Sequence, residues 1–588
     1  MPTFTPEPIA RVNTTATGDQ LTPLVATLAG GGYVIVWTSW AASDLRVYAQ
    51  RFDELGAKAG NETLVLAGEP GTSGFRAGGV LGLGDGGFVV AADTGRVDPV
   101  AGPVSSVYTQ RVDVAGQRVG TPVLVDDTGN FEEWVEAGWI YPAADGGYYV
   151  AIEEVTRPTP RIFSETWLRH YSADGVATGA KFLVGDGRPE DNLIVLANGN
   201  IAAAWDRQTG PSPSQIGWTV LTPTGEPVSS GVIAGTAQVS PLGPVLARAA
   251  DGYLMIWSEI NLVTGISTFL AQVRNASGET VGGPFELALP SNAGLLELTA
   301  LANGGFVLSW HVFTGDHLEY FGRYLDAAGQ PSGDAFRLVP DHPGSPGPLG
   351  VDVVASPDGG FVVASQLPGD GTGQDIFGQK FGPDAVTGGD ANDRLFGGAG
   401  NDLIDGGNGV DTAVYSGAMS RYTIARTDAG VTVTDSTAAE GSDTLVRMER
   451  LSFSDTLAGL DTRGPDGHVW QAAALTHTVL GALPPQGLLS QWTAQADQSS
   501  GMGELAQKML DYYVPGISSQ DLVTVLFVKL VKASPSPETV QLFANLIGPG
   551  KIFGTQGDFF AAAASLPLNT DGMADLVGSI QPLDPAWF

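Results

Sequence analysis

The sequence contains no cysteine. That excludes a disulfide scaffold, a thiolate nucleophile and Cys-ligated zinc. Basic residues are scarce: 29 Lys and Arg stand against 63 Asp and Glu, for a formal net charge of −34. Such a chain lacks the basic face that nucleic-acid phosphates require. The acidity suits a protein that meets divalent cations outside the cell, although solubility alone would also favour it. No run of 18 apolar residues occurs, so no membrane-spanning helix is expected. The stretch MPTFTPEPIARVNTTATGDQ has no apolar core, so a Sec signal is not expected there. Catalytic signatures are missing too. None of the histidines at 170, 311, 317, 342, 468 and 477 lies in HExxH, and neither a GxSxG elbow nor a phosphate-binding glycine loop is found.

Glycine, by contrast, is abundant: 81 residues, about twice the usual ~7%. The length of 588 residues implies two to four domains. Much of the glycine falls in a repeat. GGGYVIVW (30–37) recurs as DGGFVVAA from Asp85, DGGYYVAI from Asp145, NGNIAAAW from Asn198, DGYLMIWS from Asp251, NGGFVLSW from Asn303 and DGGFVVAS from Asp358. The residue after the turn is Tyr33, Phe88, Tyr148, Ile201, Tyr253, Phe306 or Phe361, at intervals of 55, 60, 53, 52, 53 and 55. Each copy reads as four strands. An apolar run leads into an Asn/Asp-Gly turn, an alternating strand follows, then a third strand, a second glycine turn and an outer strand. Seven such units predict a mainly β fold, a seven-bladed β-propeller over residues 1–383. The seventh copy stops without its outer strand, and PEPIARVN (6–13) reads as an orphan outer strand. Residues 4–13 are therefore expected to complete the last blade and close the ring.

A second repeat begins at Gly388: GGDANDRLF, GGAGNDLID, GGNGVDTAV. Its pattern is GGxGxDxUx, with U a large apolar residue. Glycines permit a tight turn and close backbone approach to an ion. The aspartates Asp393, Asp402 and Asp411 offer hard oxygen ligands, and Leu395, Ile404 and Ala413 point inward. A degenerate earlier unit, QKFGPDAVT, adds Asp384 and Val386. Two nonamers make one coil of a parallel β-roll, so turns two repeats apart can share a Ca²⁺ through carboxylates and backbone carbonyls. About two ions are expected, one between the turns of Asp393 and Asp411 and one between those of Asp384 and Asp402. Backbone positions Gly388, Asp390, Gly398, Gly400, Gly407 and Gly409 belong to the same expected metal set, and Ala391 replaces one turn glycine.

These nonamers closely resemble those of the repeats-in-toxin (RTX) family. DTAVYSG (411–417), RYTI (421–424), VTVTD (431–435), GSDTL (441–445) and MERLSFSD (448–455) resemble the β-rich cap that follows such rolls. Residues 4–382 resemble the glycine-aromatic propeller repeat found beside calcium modules in large exported bacterial proteins. The resemblance implies a secreted or cell-surface protein of a Gram-negative bacterium. It further implies type I secretion guided by an uncleaved C-terminal signal, and a roll that folds in extracellular calcium. The calcium roll and cap are assigned to 384–460.

Residues 461–588 change to helical periodicity. Helices are expected at 503–514, 518–533 with Ser518 and Asp521 at its start, and 536–548 with Ser536 as N-cap and Pro537 at N1. LGALPPQGLLSQW (480–492) resembles a helical domain of unknown function that often ends exported calcium-binding proteins, with Ala482 and Pro485 departing from its pattern.

No catalytic set emerges, and the chain is expected not to be an enzyme. The candidate ligand contacts are Glu132, Glu133 and Glu136, with Trp134 and Trp139 beside them, near the start of blade three. A solvated acidic strand entry with core tryptophans is the favoured reading of that cluster. His311 and His317 are spaced for neither a helical nor a strand metal pair. The functional expectation is an exported, non-enzymatic calcium-binding protein that self-assembles or adheres as a layer, filament or matrix component. Its expected partners are calcium, further copies of itself or a surface polysaccharide, and the type I machinery. The alternatives are a carbohydrate-binding adhesin working through the propeller face, and a glycan hydrolase or lyase. A glycan array separates the first two, and product release from polysaccharide reveals the third.

Overall fold

The computed structural model describes all residues except 1–3, 7–8, 16–17, 42–43, 55, 69–71, 99–101, 128–132, 157–162, 187–191, 208–213, 303, 316, 341–349, 358, 370–372, 384, 399–400, 428–429 and 438–439. Two compact units emerge, Met1–Pro383 and Asp384–Phe588.

In the first unit the repeat becomes antiparallel sheet in a propeller arrangement. Each innermost strand packs beside that of the next copy, and the last, Val351–Ala355, packs beside the first, Asp19–Thr27. The residue after each Asn/Asp-Gly turn is buried in every copy, from Tyr33 to Phe361. In three copies it stacks on an aromatic of the neighbouring strand: Tyr33 on Phe52 at 4.7 Å, Tyr148 on Tyr171 at 5.4 Å and Phe361 on Phe381 at 4.6 Å. Repetition of the aromatic is thus repetition of a core contact.

Seven separate blades were expected; among the described residues five sheets stand apart as blades. The first two copies share one eight-stranded sheet, joined where Leu45 pairs with Gly74. A side chain at position 74 would forbid this approach, because its Cβ would lie 2.2 Å from the Leu45 carbonyl oxygen. At the other end of the repeat, Phe4–Pro6 and Ala10–Arg11 pair antiparallel with Gln374–Pro383. Buried Asn13 fastens the junction. Its amide donates to Asp375 at 2.8 Å, and its Oδ1 accepts from the Ile376 backbone N–H at 2.8 Å. Arg11 adds an ion pair to Asp375 at 2.9 Å.

The second unit joins what the sequence divided at residue 460. One sheet holds Ala385–Thr387, Leu403–Asp405 and Ser442–Val446 in parallel, extended by the antiparallel strands Gly430–Asp435 and Tyr422–Thr427. The other holds Arg394–Leu395, Thr412–Val414 and Arg450–Ser452 in parallel. Leu457–Gly459 extends it, and so does Gln581–Leu583 from the far side of the helical region. Val386, Leu395, Ile404, Ala413, Leu445 and Leu451 fill the space between the sheets.

Seven helices follow: α1 His468–Leu480, α2 Gln486–Ala496, α3 Met502–Tyr513, α4 Ser519–Val531, α5 Pro537–Ala544, α6 Gln556–Ala564 and α7 Pro567–Thr570. Ser518 and Ser536 cap α4 and α5 by accepting from the Asp521 and Thr539 N–H groups. α5 ends at Ala544, short of the expected Gly548. Arg450, almost fully buried, bridges the β and helical parts through Asp461 at 2.6 Å and Asp497 at 2.5 Å. These contacts link 384–460 to 461–588 within one compact unit.

Candidate metal centre

The nonamer period sets the geometry of the roll. Ala385 pairs with Leu403 and Arg394 with Thr412, a displacement of two nonamers in each case. Turns two repeats apart therefore stack. Turn 388–393 lies against turn 406–411: Asn408 N–H donates to the Gly389 carbonyl at 2.9 Å, and Val410 N–H to Asn392 Oδ1 at 3.0 Å. Gly398, Gly407 and Gly409 adopt positive φ of 92°, 91° and 129°, which only glycine takes without strain. A Cβ on Gly407 would meet the Gly389 carbonyl oxygen at 2.3 Å, and one on Gly409 that of Ala391 at 2.4 Å. The turns thus bring backbone carbonyls of one coil against the backbone of the next.

The aspartates form a ladder along the coils. Asp411 Oδ1 accepts from the Asp393 N–H at 2.8 Å, and Asp393 Oδ2 from the Gly389 N–H at 2.6 Å. The ladder continues beyond the nonamers into residues the sequence did not mark. Asp443 Oδ1 accepts from the Asp402 N–H at 3.1 Å, and Glu449 Oε2 from the Asp411 N–H at 2.9 Å. Asp443 lies 41 residues after Asp402 and Glu449 lies 38 after Asp411. Neither offset is a multiple of nine, so the repeat carries no signal for them. Of the other expected ligands, Asp390 Oδ1 accepts from the Asn408 amide at 2.8 Å. Gly388 N–H donates to the Asp405 carbonyl at 2.8 Å. Asp384 and Gly400 lie outside the described residues.

Burial makes this ladder costly without a cation. Asp402, Asp411 and Asp443 are all buried. Desolvation, then the neighbouring Asp393 charge, raises the Asp411 carboxyl above the ordinary carboxylate range. Desolvation, with Glu440 nearby, pushes Asp443 up to about 7, and burial also raises Glu449. Among the described residues, Asp411 Oδ2 is a buried oxygen with no hydrogen-bond partner. An oxygen-seeking divalent cation fits this donor set of carboxylates and carbonyls. At the exposed edge Asp405 is already paired with Arg447 at 2.6 Å, which holds its carboxyl below the ordinary range. Among the described residues, no three His, Asp or Glu side chains converge to hold a metal by themselves. The turn carbonyls of Gly389 and Ala391 offer further oxygen donors beside these carboxylates.

The decisive match falls on this segment, where the model for the RTX calcium-binding nonapeptide repeat (4 copies) matches residues 381–413. Residues 381–413 are RTX calcium-binding repeats. No curated protein sequence matches the chain. Similar solved structures include a protein of unknown function from Dyadobacter fermentans DSM 18053, with TM-score 0.39 and 14% identity over 65% of this chain and 99% of that one. The polysaccharide lyase Uly1 follows at TM-score 0.38 and 12% identity, over 63% and 90% of the two chains. The endo-arabinase from Bacteroides thetaiotaomicron VPI-5482 has TM-score 0.25 and 12% identity, over 57% and 99%. Likenesses this remote carry no argument about the RTX-bearing chain.

Four of the five candidate ligand contacts of the first unit fall on one strand. Glu132 lies outside the described residues, and Glu133 and Trp134 open the innermost strand Glu133–Pro142. Trp139 is half-buried and packs on the core shared by the first two copies, a structural place. Glu136 pairs with Arg76 at 3.4 Å. His311 tilts against Tyr320 at 6.0 Å, whereas His317 lies 3.6 Å from Glu319, so the two histidines have different partners. Among the described residues, no helix is long and apolar enough to cross a membrane, which says nothing of β-barrels.

Proposed function

We propose that this calcium-binding chain is a non-enzymatic protein of the bacterial exterior, folded by calcium on arrival and built to associate with copies of itself. The buried aspartate ladder carries this reading. Low calcium leaves like charges stacked in a desolvated space, and calcium outside the cell would neutralise them and order the glycine turns. Asp393 and Asp411 would hold one ion together with turn carbonyls, and Asp402 would take part in a second. The type I route, with a signal carried in 461–588, follows from the RTX repeats as an expectation. Calcium would also lower the self-repulsion of a chain at −34, which otherwise opposes assembly. Light scattering across a calcium titration tests this. Growth of particle mass between micromolar and millimolar calcium supports it. A strict monomer at millimolar calcium and high protein concentration removes the assembly reading and promotes the carbohydrate-binding and glycan-cleaving alternatives.

A further inference from the structure

The helical part of the second unit encloses an apolar cavity of about 240 Å³ between the ends of α1 and α3 and the face of α4. Val479, Leu480, Tyr513, Leu522, Val525 and Leu526 are among its walls, and no charged side chain lines it. Val479, Leu480, Tyr513 and Val525 remain exposed, so the apolar lining reaches the surface. Exposed apolar surface continuous with a cavity is the usual mark of a ligand site.

The charge around it departs from the rest of the chain. Residues 468–496 and 522–537, which supply α1, α2 and most of α4, contain no Asp or Glu in a protein that has 63. Their only Lys or Arg residues are Lys529 and Lys532. Lys529 Nζ donates to the Val479 carbonyl at 2.7 Å. Lys532 Nζ lies 3.9 Å from where a Cβ on Gly481 would stand, next to the wall residue Leu480. Both ammonium groups therefore sit at the α1 rim of the cavity. Acidic residues do occur nearby, Glu504 and Asp511 on α3 and Asp521 at the start of α4. Cations at the C-terminal end of α4 complement the helix dipole, but the dipole does not call for an apolar cavity beside them.

We infer that this cavity takes the hydrocarbon chain of a single-chain anionic amphiphile, a fatty carboxylate, with its head group at Lys529 and Lys532. A peptide helix, about 10 Å across, is too wide for the space. A nucleotide or sugar would leave its polar groups unpaired against these walls. The inference does not rest on the proposed self-association, and because the helices share one unit with the calcium roll the titration is made in millimolar calcium.

Calorimetric titration of the full chain with decanoate is the test. One decanoate per chain is expected. Val525→Glu should weaken binding at least tenfold, and so should the double variant Lys529→Glu with Lys532→Glu. Decanol, with the same tail and no charge, should bind at least tenfold more weakly than decanoate. Lys508→Glu, away from the rim, should leave binding unchanged. Val525 and both lysines are exposed, and unaltered far-ultraviolet circular dichroism would confirm that the variants fold. Should Val525→Glu fail to fold, the lysine variant and the decanol comparison still decide. Absence of saturable binding overturns the inference, as does decanoate binding indifferent to both variants. Retention on phosphatidylglycerol vesicles without decanoate binding also overturns it, in favour of a membrane-surface role.

Discussion

Asp411 and Asn13 show two uses of a buried polar side chain. Asp411 is fully buried with Oδ2 unpaired among the described residues, while its Oδ1 accepts from Asp393 N–H. Asp411→Asn keeps the shape and removes the charge. The chelated protein should lose no stability, because an uncompensated buried charge disappears. Calcium affinity should fall at least tenfold, about 1.4 kcal/mol. Calcium titration and melting in chelator check both halves, and a variant equally weakened in each condition would assign Asp411 to packing alone. Asn13 is saturated instead: Asp375 keeps Arg11 as a second donor, whereas the Ile376 N–H relies on the Asn13 Oδ1. Asn13→Ala leaves the buried Ile376 N–H unpaired and takes a donor from Asp375. A loss of about 2 kcal/mol is expected for the first unit, read as a lower urea midpoint with the calcium response unchanged.

At the scale of the element, the roll couples protons to folding. Burial pushes the Asp443 carboxyl up to about 7 in the calcium-free fold, whereas an unfolded aspartate lies at ~3.9. Between those values the folded roll holds a proton that the unfolded chain does not. Its calcium-free stability therefore rises as pH falls from above 7, and the burial cost is fully felt above that. Asp411 and Glu449 are shifted in the same direction. Asp435 is shifted the other way, chiefly by Arg421, so its contribution is lost only at pH below ~4. In chelator, the second unit should melt higher at about pH 5 than at about pH 8. In calcium the order should reverse, because protons then compete with the ion. A melting point independent of pH in chelator would contradict the burial of these carboxylates. The nonamer turns were legible in the sequence because each coil repeats the same bonds. Asp443 and Glu449 were not, because the cap reaches its rungs through the excursion 415–441, whose length has no period. The fusion of the first two copies was hidden for a related reason. Gly74 resembles any other loop glycine until Leu45 is placed against it.

Across the whole molecule, calcium should act unevenly. The first unit contains none of the RTX turns that fall in the described residues, while the second combines roll, cap and helices. The sequence placed a boundary at residue 460. Tertiary contacts cross it: Leu457 pairs with Leu583, Arg450 reaches Asp497, and Arg426 donates to the Gly578 carbonyl at 2.7 Å. Helical periodicity marks where helices are, but not what their loops and flanking strands bind. Chelation should therefore cost helical circular dichroism as well as protease resistance in 384–460, and calorimetry should show one transition move while the first unit's stays. A helical signal untouched by chelator would show that the helices fold without the roll.

The pairing of Leu457–Gly459 with Gln581–Leu583 also sets a timetable. Thr456 donates to the Leu583 carbonyl across a separation of 127 residues. During synthesis, the outer strand of that sheet is still inside the ribosome when the nonamers have already emerged. The sheet cannot be completed until residue 583 is free, which makes its closure a late step with a large loop to order. Until residue 583 is free, that sheet of the second unit lacks its outer strand.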